Sequence, residues 1–151
     1  MTLTVTERCN LRCTYCYVPV ARGRAMRPEV LDAAMDMFER HAADDGPLTV
    51  SLFGGEPFMA LDLVWRAVER AERIEARGRR VRFSSPTNGL ALDAPTLARL
   101  GALGVELAVS VDGDATSPSR AFASGKPSSA ALWARCRPRG TGARPSPRPG
   151  P

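Results

Sequence analysis

The chain has 151 residues, of which 44% are hydrophobic and 25% charged, values of a single globular domain rather than a fibrous or low-complexity protein. No run approaches the roughly 20 apolar residues of a membrane helix, and the opening MTLTVTERCN lacks the apolar segment of a signal peptide. The formal charge of +5 does not point to nucleic acid: residues 1–111 hold 14 basic and 14 acidic side chains, and all the excess sits in residues 112–151, with 7 basic and 2 acidic.

The elements alternate in type. Residues 3–6, LTVT, are short, apolar and β-branched, as a buried strand requires. A loop holding three of the four cysteines follows. Pro28 then stands where a first helical turn tolerates it. Val30, Ala34, Met37, Phe38 and His41 follow at helical spacing as the expected inner face, and DDGP closes that helix. Residues 48–53, LTVSLF, read as a second strand running into GGEP. A helix over residues 61–77 carries the stripe Leu61, Val64, Trp65, Val68, Ala71 and Ile74, with Gly78 as its stop. Residues 81–85, VRFSS, are a third strand ending in PTNG. Asp93 caps a third helix with Pro95 in its first turn and Leu97, Leu100 and Leu103 as its buried face. Residues 105–111, VELAVSV, form a fourth strand ending in DG. This βαβαβαβ order predicts a parallel α/β sheet.

The alternation stops after Asp112. Residues 112–151 carry seven of the 13 prolines, and CRPRGTGARPSPRPGP has no periodicity. The expected division is a folded unit over residues 1–113 and a disordered Pro/Arg/Gly-rich tail over residues 114–151. Four strands form an open sheet with an uncovered edge.

The cysteines carry the chemistry. Cys9, Cys13 and Cys16 have the spacing C-x3-C-x2-C directly after the first strand, on the side where parallel α/β sheets bind ligands. A chain without a leader reads as cytoplasmic, where thiols stay reduced and serve metals or catalysis before disulfides. A ferredoxin-type cluster uses four thiolates. Three thiolates on a four-iron cluster leave one iron for an exogenous ligand. Two other readings stand beside this one: a zinc site completed by His41 or Cys136, and plain unliganded thiols. GGEP, TNG and DG are each ordinary turn sequences when taken alone.

The stretch CNLRCTYCY, with aromatic Tyr15 before the last cysteine, resembles the cluster motif of the radical S-adenosylmethionine (radical SAM) superfamily. GGEP after the second strand, TNG after the third and SVDG after the fourth come in the order of its SPASM-containing, sulfatase-maturating and peptide-modifying branch. The resemblance covers residues 2–113. It implies the N-terminal part of a (β/α)6 partial TIM barrel. It further implies an oxidoreductase-type metalloenzyme: a [4Fe–4S] cluster on Cys9, Cys13 and Cys16, whose fourth iron is chelated by S-adenosyl-L-methionine. Reductive cleavage of that cofactor would give a 5′-deoxyadenosyl radical, which would take a hydrogen atom from a peptide or protein. A flavodoxin or ferredoxin would supply the electron. By the same resemblance Tyr15 would lie near the adenine, Gly54 and Gly55 beside the methionine moiety, and Glu56 at its ammonium. Thr87, Asn88 and Ser110 would contact the ribose or carboxylate, and Asp112 would be a polar strand-end residue near the site.

The chain departs from that pattern after SVDG. Relatives often show a His-Asp pair and then an Arg; here Ser-Pro-Ser stands in that place, with Arg120, Phe122 and Gly125 as an echo. The later barrel strands and a cysteine-rich C-terminal domain are not in the sequence, as a frameshift or premature stop in a GC-rich gene would leave it. The alternatives are then an inactive truncated fragment, or a small metal-binding or iron–sulfur module that meets a partner through its basic tail.

Overall fold

A computed structural model describes residues 1–18, 23–42, 46–113 and 116–136. Strands β1 (Thr2–Thr6), β2 (Leu48–Gly54), β3 (Val81–Thr87) and β4 (Glu106–Val109) form one sheet in the order β1-β2-β3-β4. Every pairing is parallel. Helices α1 (Pro28–His41), α2 (Leu61–Glu75) and α3 (Ala94–Ala102) link successive strands. The expected α/β architecture is therefore observed. The strands begin and end within a few residues of expectation, with β3 running on through Pro86 and Thr87 to pair with β4.

One layer of helices covers one face of the sheet. Leu3, Val5, Leu48, Val50, Leu52 and Phe83 point into that layer and meet Leu31, Met35, Val64, Ala67, Val68, Ile74 and Leu100. Thr2, Thr4, Thr49 and Arg82 alternate with them and are exposed on the other face. The strands thus alternate apolar and polar residues, unlike strands of a parallel sheet covered on both sides. Among the described residues no helix is long and apolar enough to cross a membrane.

The inner faces of two helices differ from expectation. In α1, Leu31 and Met35 are buried while Val30 and Met37 are exposed. Both sets recur at helical spacing, so periodicity alone could not choose between them. Leu31 and Met35 complete a core-facing row with Ala34 and Phe38, which are partly buried against the same core, and ion pairs line the flank of that row. Asp32 meets Arg66 (2.7 Å) and Arg70, and Asp36 meets Arg70, across to α2, while Glu39 meets Arg77 (2.5 Å) just beyond the end of α2. Arg77 thus ties the turn after α2 to α1. In α3 only Leu100 is buried, and Leu97 and Leu103 face solvent. Asp93 caps α3 as expected, its carboxylate accepting from the Thr96 N–H at 2.8 Å.

The stretch after β4 departs furthest from expectation. Residues 120–128 form a tight hairpin: the Phe122 N–H donates to the Lys126 carbonyl and the Ser128 N–H to the Arg120 carbonyl, both at 2.9 Å. Helix α4 (Ser129–Cys136) follows. Leu132 is buried, and the Arg135 guanidinium donates to the Leu92 carbonyl at 2.7 Å. Residues 116–136 are thus tied to the loops at the carboxyl ends of the strands. The low-complexity residues 137–151, on which the expectation of a disordered tail chiefly rested, lie outside the described residues.

Burial of Met35 against Met37 provides a direct test of the α1 orientation. Met35→Ala should cost about 2–4 kcal/mol, since it removes a fully enclosed side chain. Met37→Ala should change stability by no more than about 0.5 kcal/mol. Equilibrium denaturant unfolding of both variants measures the contrast.

Candidate active site

Inside the cysteine loop the Cys16 N–H donates to the Cys13 carbonyl (3.1 Å) and the Arg12 guanidinium to the Cys9 and Leu11 carbonyls (both 2.8 Å), and three other segments hold the loop in place. Its exit returns along the outer edge of β1, where Thr6 bridges Ala25, the Glu7 N–H donates to the Arg24 carbonyl (2.7 Å) and the Met26 N–H to the Val5 carbonyl (2.9 Å). That edge is consequently covered along its carboxyl half. On another side the post-β4 segment runs antiparallel to the loop. The Arg12 N–H donates to the Ala121 carbonyl (2.6 Å), the Thr14 N–H donates to the Ser119 carbonyl (3.1 Å), and Leu11 bridges Phe122. Leu11 is buried and anchors the loop centre.

GGEP supplies the third hold. The Gly55 N–H donates to the Thr6 carbonyl (2.9 Å) and the Glu56 N–H to the Arg8 carbonyl (2.8 Å). Gly54 has φ of +146°, and a Cβ there would lie 2.0 Å from the Thr6 carbonyl oxygen. A Cβ on Gly55 would lie 2.5 Å from the Arg8 carbonyl oxygen. The glycines are needed because the β1 and β2 ends approach each other this closely. Both also line the cavity described next.

A cavity of about 240 Å3 opens at the carboxyl ends of the strands. Cys9, Cys13, Cys16, Tyr15, Gly54, Gly55, Thr87, Asn88 and Ser110 all line it. The structure thus brings together most of the residues singled out in the sequence. Glu56 and Asp112 do not line it: Glu56 is buried behind the turns, and Asp112 reaches it through Tyr15 and Arg120 at its mouth. Arg120 also lines the cavity, together with Tyr17, Phe53 and Pro86. Arg120 lies in a stretch without periodicity, so its only sequence signal was the echo noted above.

Glu56 is 1% exposed, and its carboxylate faces the loops rather than the cavity. Oε1 accepts from the Thr87 hydroxyl (2.8 Å) and the Phe58 N–H (3.3 Å), and Oε2 accepts from the Asn88 N–H (2.7 Å). Burial pushes its carboxyl above the ordinary range, and these donors oppose that shift. The Thr87 hydroxyl in turn accepts from the Gly89 N–H at 3.0 Å. Glu56 and Thr87 therefore lock the GGEP and TNG turns to each other.

At the cavity mouth the Tyr15 hydroxyl donates to Asp112 Oδ2, and Arg120 Nε lies 2.9 Å from Asp112 Oδ1. The Arg120 guanidinium sits 5.7 Å over the Tyr15 ring. Burial and the Asp112 carboxylate push the Tyr15 phenol up to about 12, so it stays protonated at neutral pH. The Tyr15 hydrogen bond, then Arg120, hold the Asp112 carboxyl below its usual range.

Among the described residues no three His, Cys, Asp or Glu side chains converge closely enough to hold one metal ion. The three thiols instead stand around one cavity, which suits a body of several atoms. The Leu11 N–H (3.4 Å) and the Asn88 amide (3.8 Å) both donate to Cys9 Sγ, as thiolate ligands require. His41 lies by Met1 at the opposite end of β1, where Nδ1 donates to the Met37 carbonyl (2.9 Å), so it is a helix residue and not a fourth ligand. The side chain of Cys136 lies outside the described residues.

A parallel α/β sheet with a three-thiol loop at its carboxyl end and glycine-rich turns beside it defines an α/β protein with a cavity at its strand ends. The sequence profile of the Radical SAM superfamily matches residues 3–136, and the chain belongs to that superfamily. The match runs past the 2–113 covered by the motifs and includes the hairpin and α4. The chain is 35% identical over 106 residues to the PqqA peptide cyclase of Xanthomonas euvesicatoria pv. vesicatoria, covering 69% of this chain and 26% of that protein. It is 34% identical over 92 residues to the GTP 3′,8-cyclase of Streptomyces coelicolor, covering 60% and 26% respectively. The fold is similar to that of native anSMEcpe with bound AdoMet and Cp18Cys peptide, with a TM-score of 0.76 at 23% identity, covering 88% of this chain and 37% of that one. The chain spans less than half the length of each of these relatives.

The Glu56 network should be stabilising and pH-sensitive. Glu56→Ala leaves three buried or part-buried donors without their acceptor and should cost about 3 kcal/mol. The folded-state carboxyl is raised, so its contribution is full below about pH 4.3 and declines as pH rises through the folded value. Glu56→Gln should remove that decline, and unfolding free energies of the two proteins between pH 4 and 7 measure it.

Proposed function

We propose that this chain carries the cluster- and S-adenosylmethionine-binding part of a radical SAM enzyme acting on a peptide or protein. The observation that carries the reading is the cavity itself: three thiols, the GGEP backbone and the TNG turn line one space at the strand ends. Superfamily membership and the peptide-cyclase relatives support the substrate class.

In this reading Cys9, Cys13 and Cys16 hold a [4Fe–4S] cluster. When bound, the cluster and S-adenosylmethionine supply reductive cleavage of a sulfonium C–S bond and hydrogen-atom abstraction. The chain's own residues bind, orient and exclude water. Leu11, buried and lining the cavity, gives it an apolar surface beside the thiols. Gly54 and Gly55 present backbone to the cavity without side chains. Tyr15, 55% exposed and steadied at its hydroxyl by Asp112, offers a ring face to a planar group such as adenine. Ser110 places a hydroxyl-bearing residue on the same wall, its N–H donating to the Thr87 carbonyl at 2.8 Å. Glu56 acts from behind, by fixing the turns. A one-electron donor of flavodoxin or ferredoxin type, in a reducing cytoplasmic compartment, completes the system.

Anaerobic reconstitution tests the proposal. Iron and sulfide analysis should find a four-iron cluster, and S-adenosylmethionine should change its electron paramagnetic resonance spectrum. Cys9→Ala, Cys13→Ala and Cys16→Ala should each lose that cluster, whereas Cys136→Ala should retain it. A cluster or zinc site indifferent to S-adenosylmethionine would instead make the chain a metal-binding module. Folded protein holding no metal would make it an inactive fragment.

A further inference from the structure

The TNG turn does more than line the cavity. Asn88 is 7% exposed, and each polar group described for it except the carbonyl has a defined partner. Its N–H is held by Glu56 Oε2 at 2.7 Å. Its Oδ1 accepts from the Leu90 N–H at 2.9 Å. A backbone N–H can only donate, so this contact fixes which end of the amide is oxygen. The NH2 end must then point the other way. It reaches Asn10 Oδ1 at 2.7 Å and Cys9 Sγ at 3.8 Å, one partner for each of its two hydrogens.

Cys9 is set apart from the other two thiols by this contact. Its sulfur receives two N–H donors, from Leu11 and Asn88, one backbone and one side chain. Both sulfurs also meet an oxygen, Cys9 the Asn10 Oδ1 at 3.9 Å and Cys16 the Val18 carbonyl at 4.0 Å, so the two N–H donors are what distinguishes Cys9. The Asn88 donor is also the one under remote control, because Glu56 and the Leu90 N–H orient it from the side away from the cavity.

We propose that Asn88 is a positioning residue for the cluster itself: its amide donates to the Cys9 sulfur and raises the reduction potential of the group that sulfur ligates, with Glu56 as its buried anchor. This rests on the reading of the three cysteines as cluster ligands. An N–H directed at a ligand sulfur draws off negative charge, and so favours the more negative reduced state. The role differs from contact with the ribose or carboxylate of S-adenosylmethionine, which would leave the cluster alone unaffected.

The two roles separate experimentally. The reconstituted full-length chain is titrated with dithionite without S-adenosylmethionine, following the reduced-cluster resonance, for wild type, Asn88→Ala and Asn88→Ser. The expected result is a more negative midpoint for Asn88→Ala and an intermediate one for Asn88→Ser, which keeps a shorter hydroxyl donor. A wild-type midpoint in Asn88→Ala, with weaker S-adenosylmethionine binding, would overturn the proposal and return Asn88 to cofactor contact. If Asn88→Ala loses iron, Asn88→Ser is read by the same criterion. Loss of iron from both variants with the fold intact by circular dichroism would also overturn tuning and leave a structural role. Absence of a cluster from the wild-type chain would bring down the proposed function and this inference together, whereas a wild-type cluster with an unmoved variant midpoint sinks this inference alone.

Discussion

A loop that must hold three thiols around an open cavity cannot spend its backbone on a helix or a strand of its own. Its amides and carbonyls still need partners, because unpaired buried groups are costly. Three other segments supply them here: residues 24–26 along β1, the GGEP turn after β2, and residues 119–122 after β4. The rest of the architecture follows from that need. β1 and β2 must be neighbours so that GGEP can reach Arg8, and the chain after β4 must fold back across the sheet ends.

The buried Glu56 carboxylate solves a related problem between loops. The ends of β2 and β3 carry no covalent or strand-ladder constraint beyond Gly54 and Thr87. One carboxylate accepting from Phe58, Thr87 and Asn88 fixes both turns at once. The hydrogen bonds offset only part of the desolvation of that charge, so its carboxyl stays above the ordinary range. The arrangement explains why an acidic residue sits in an otherwise apolar environment beside Pro57 and Phe58, which are themselves buried.

Scaffold and site divide along the sheet. The amino ends and the helical layer bury apolar side chains and carry the interhelical ion pairs between α1 and α2. The carboxyl ends carry nearly every polar group with an assigned role. Tyr15, Asp112 and Arg120 link the first loop to the last described one, so the cavity mouth depends on residues 97 positions apart in the chain.

Much of this was legible in the sequence, for identifiable reasons. The strand–helix alternation, the Asp93 cap and the position of the three thiols depend on neighbouring residues only, and local patterns record them. The cysteine spacing with Tyr15, and the order of GGEP, TNG and DG, mark one family before any coordinate is known. Other features depend on contacts between distant segments. Leu31 and Met35 rather than Val30 and Met37 face the core because the packing of α1 against α2 and the sheet buries the row they form with Ala34 and Phe38. Glu56 faces away from the cavity because Thr87 and Asn88 come to it from another strand. Gly54 is required by the Thr6 backbone, 48 residues earlier, which no local rule reveals. Residues 116–136, read as tail for want of periodicity, are ordered by pairing with the cysteine loop. Local sequence determined which elements form and which chemistry they carry; only the tertiary structure decided which faces meet, because packing and hydrogen bonding across the sheet are set by partners far away in the chain.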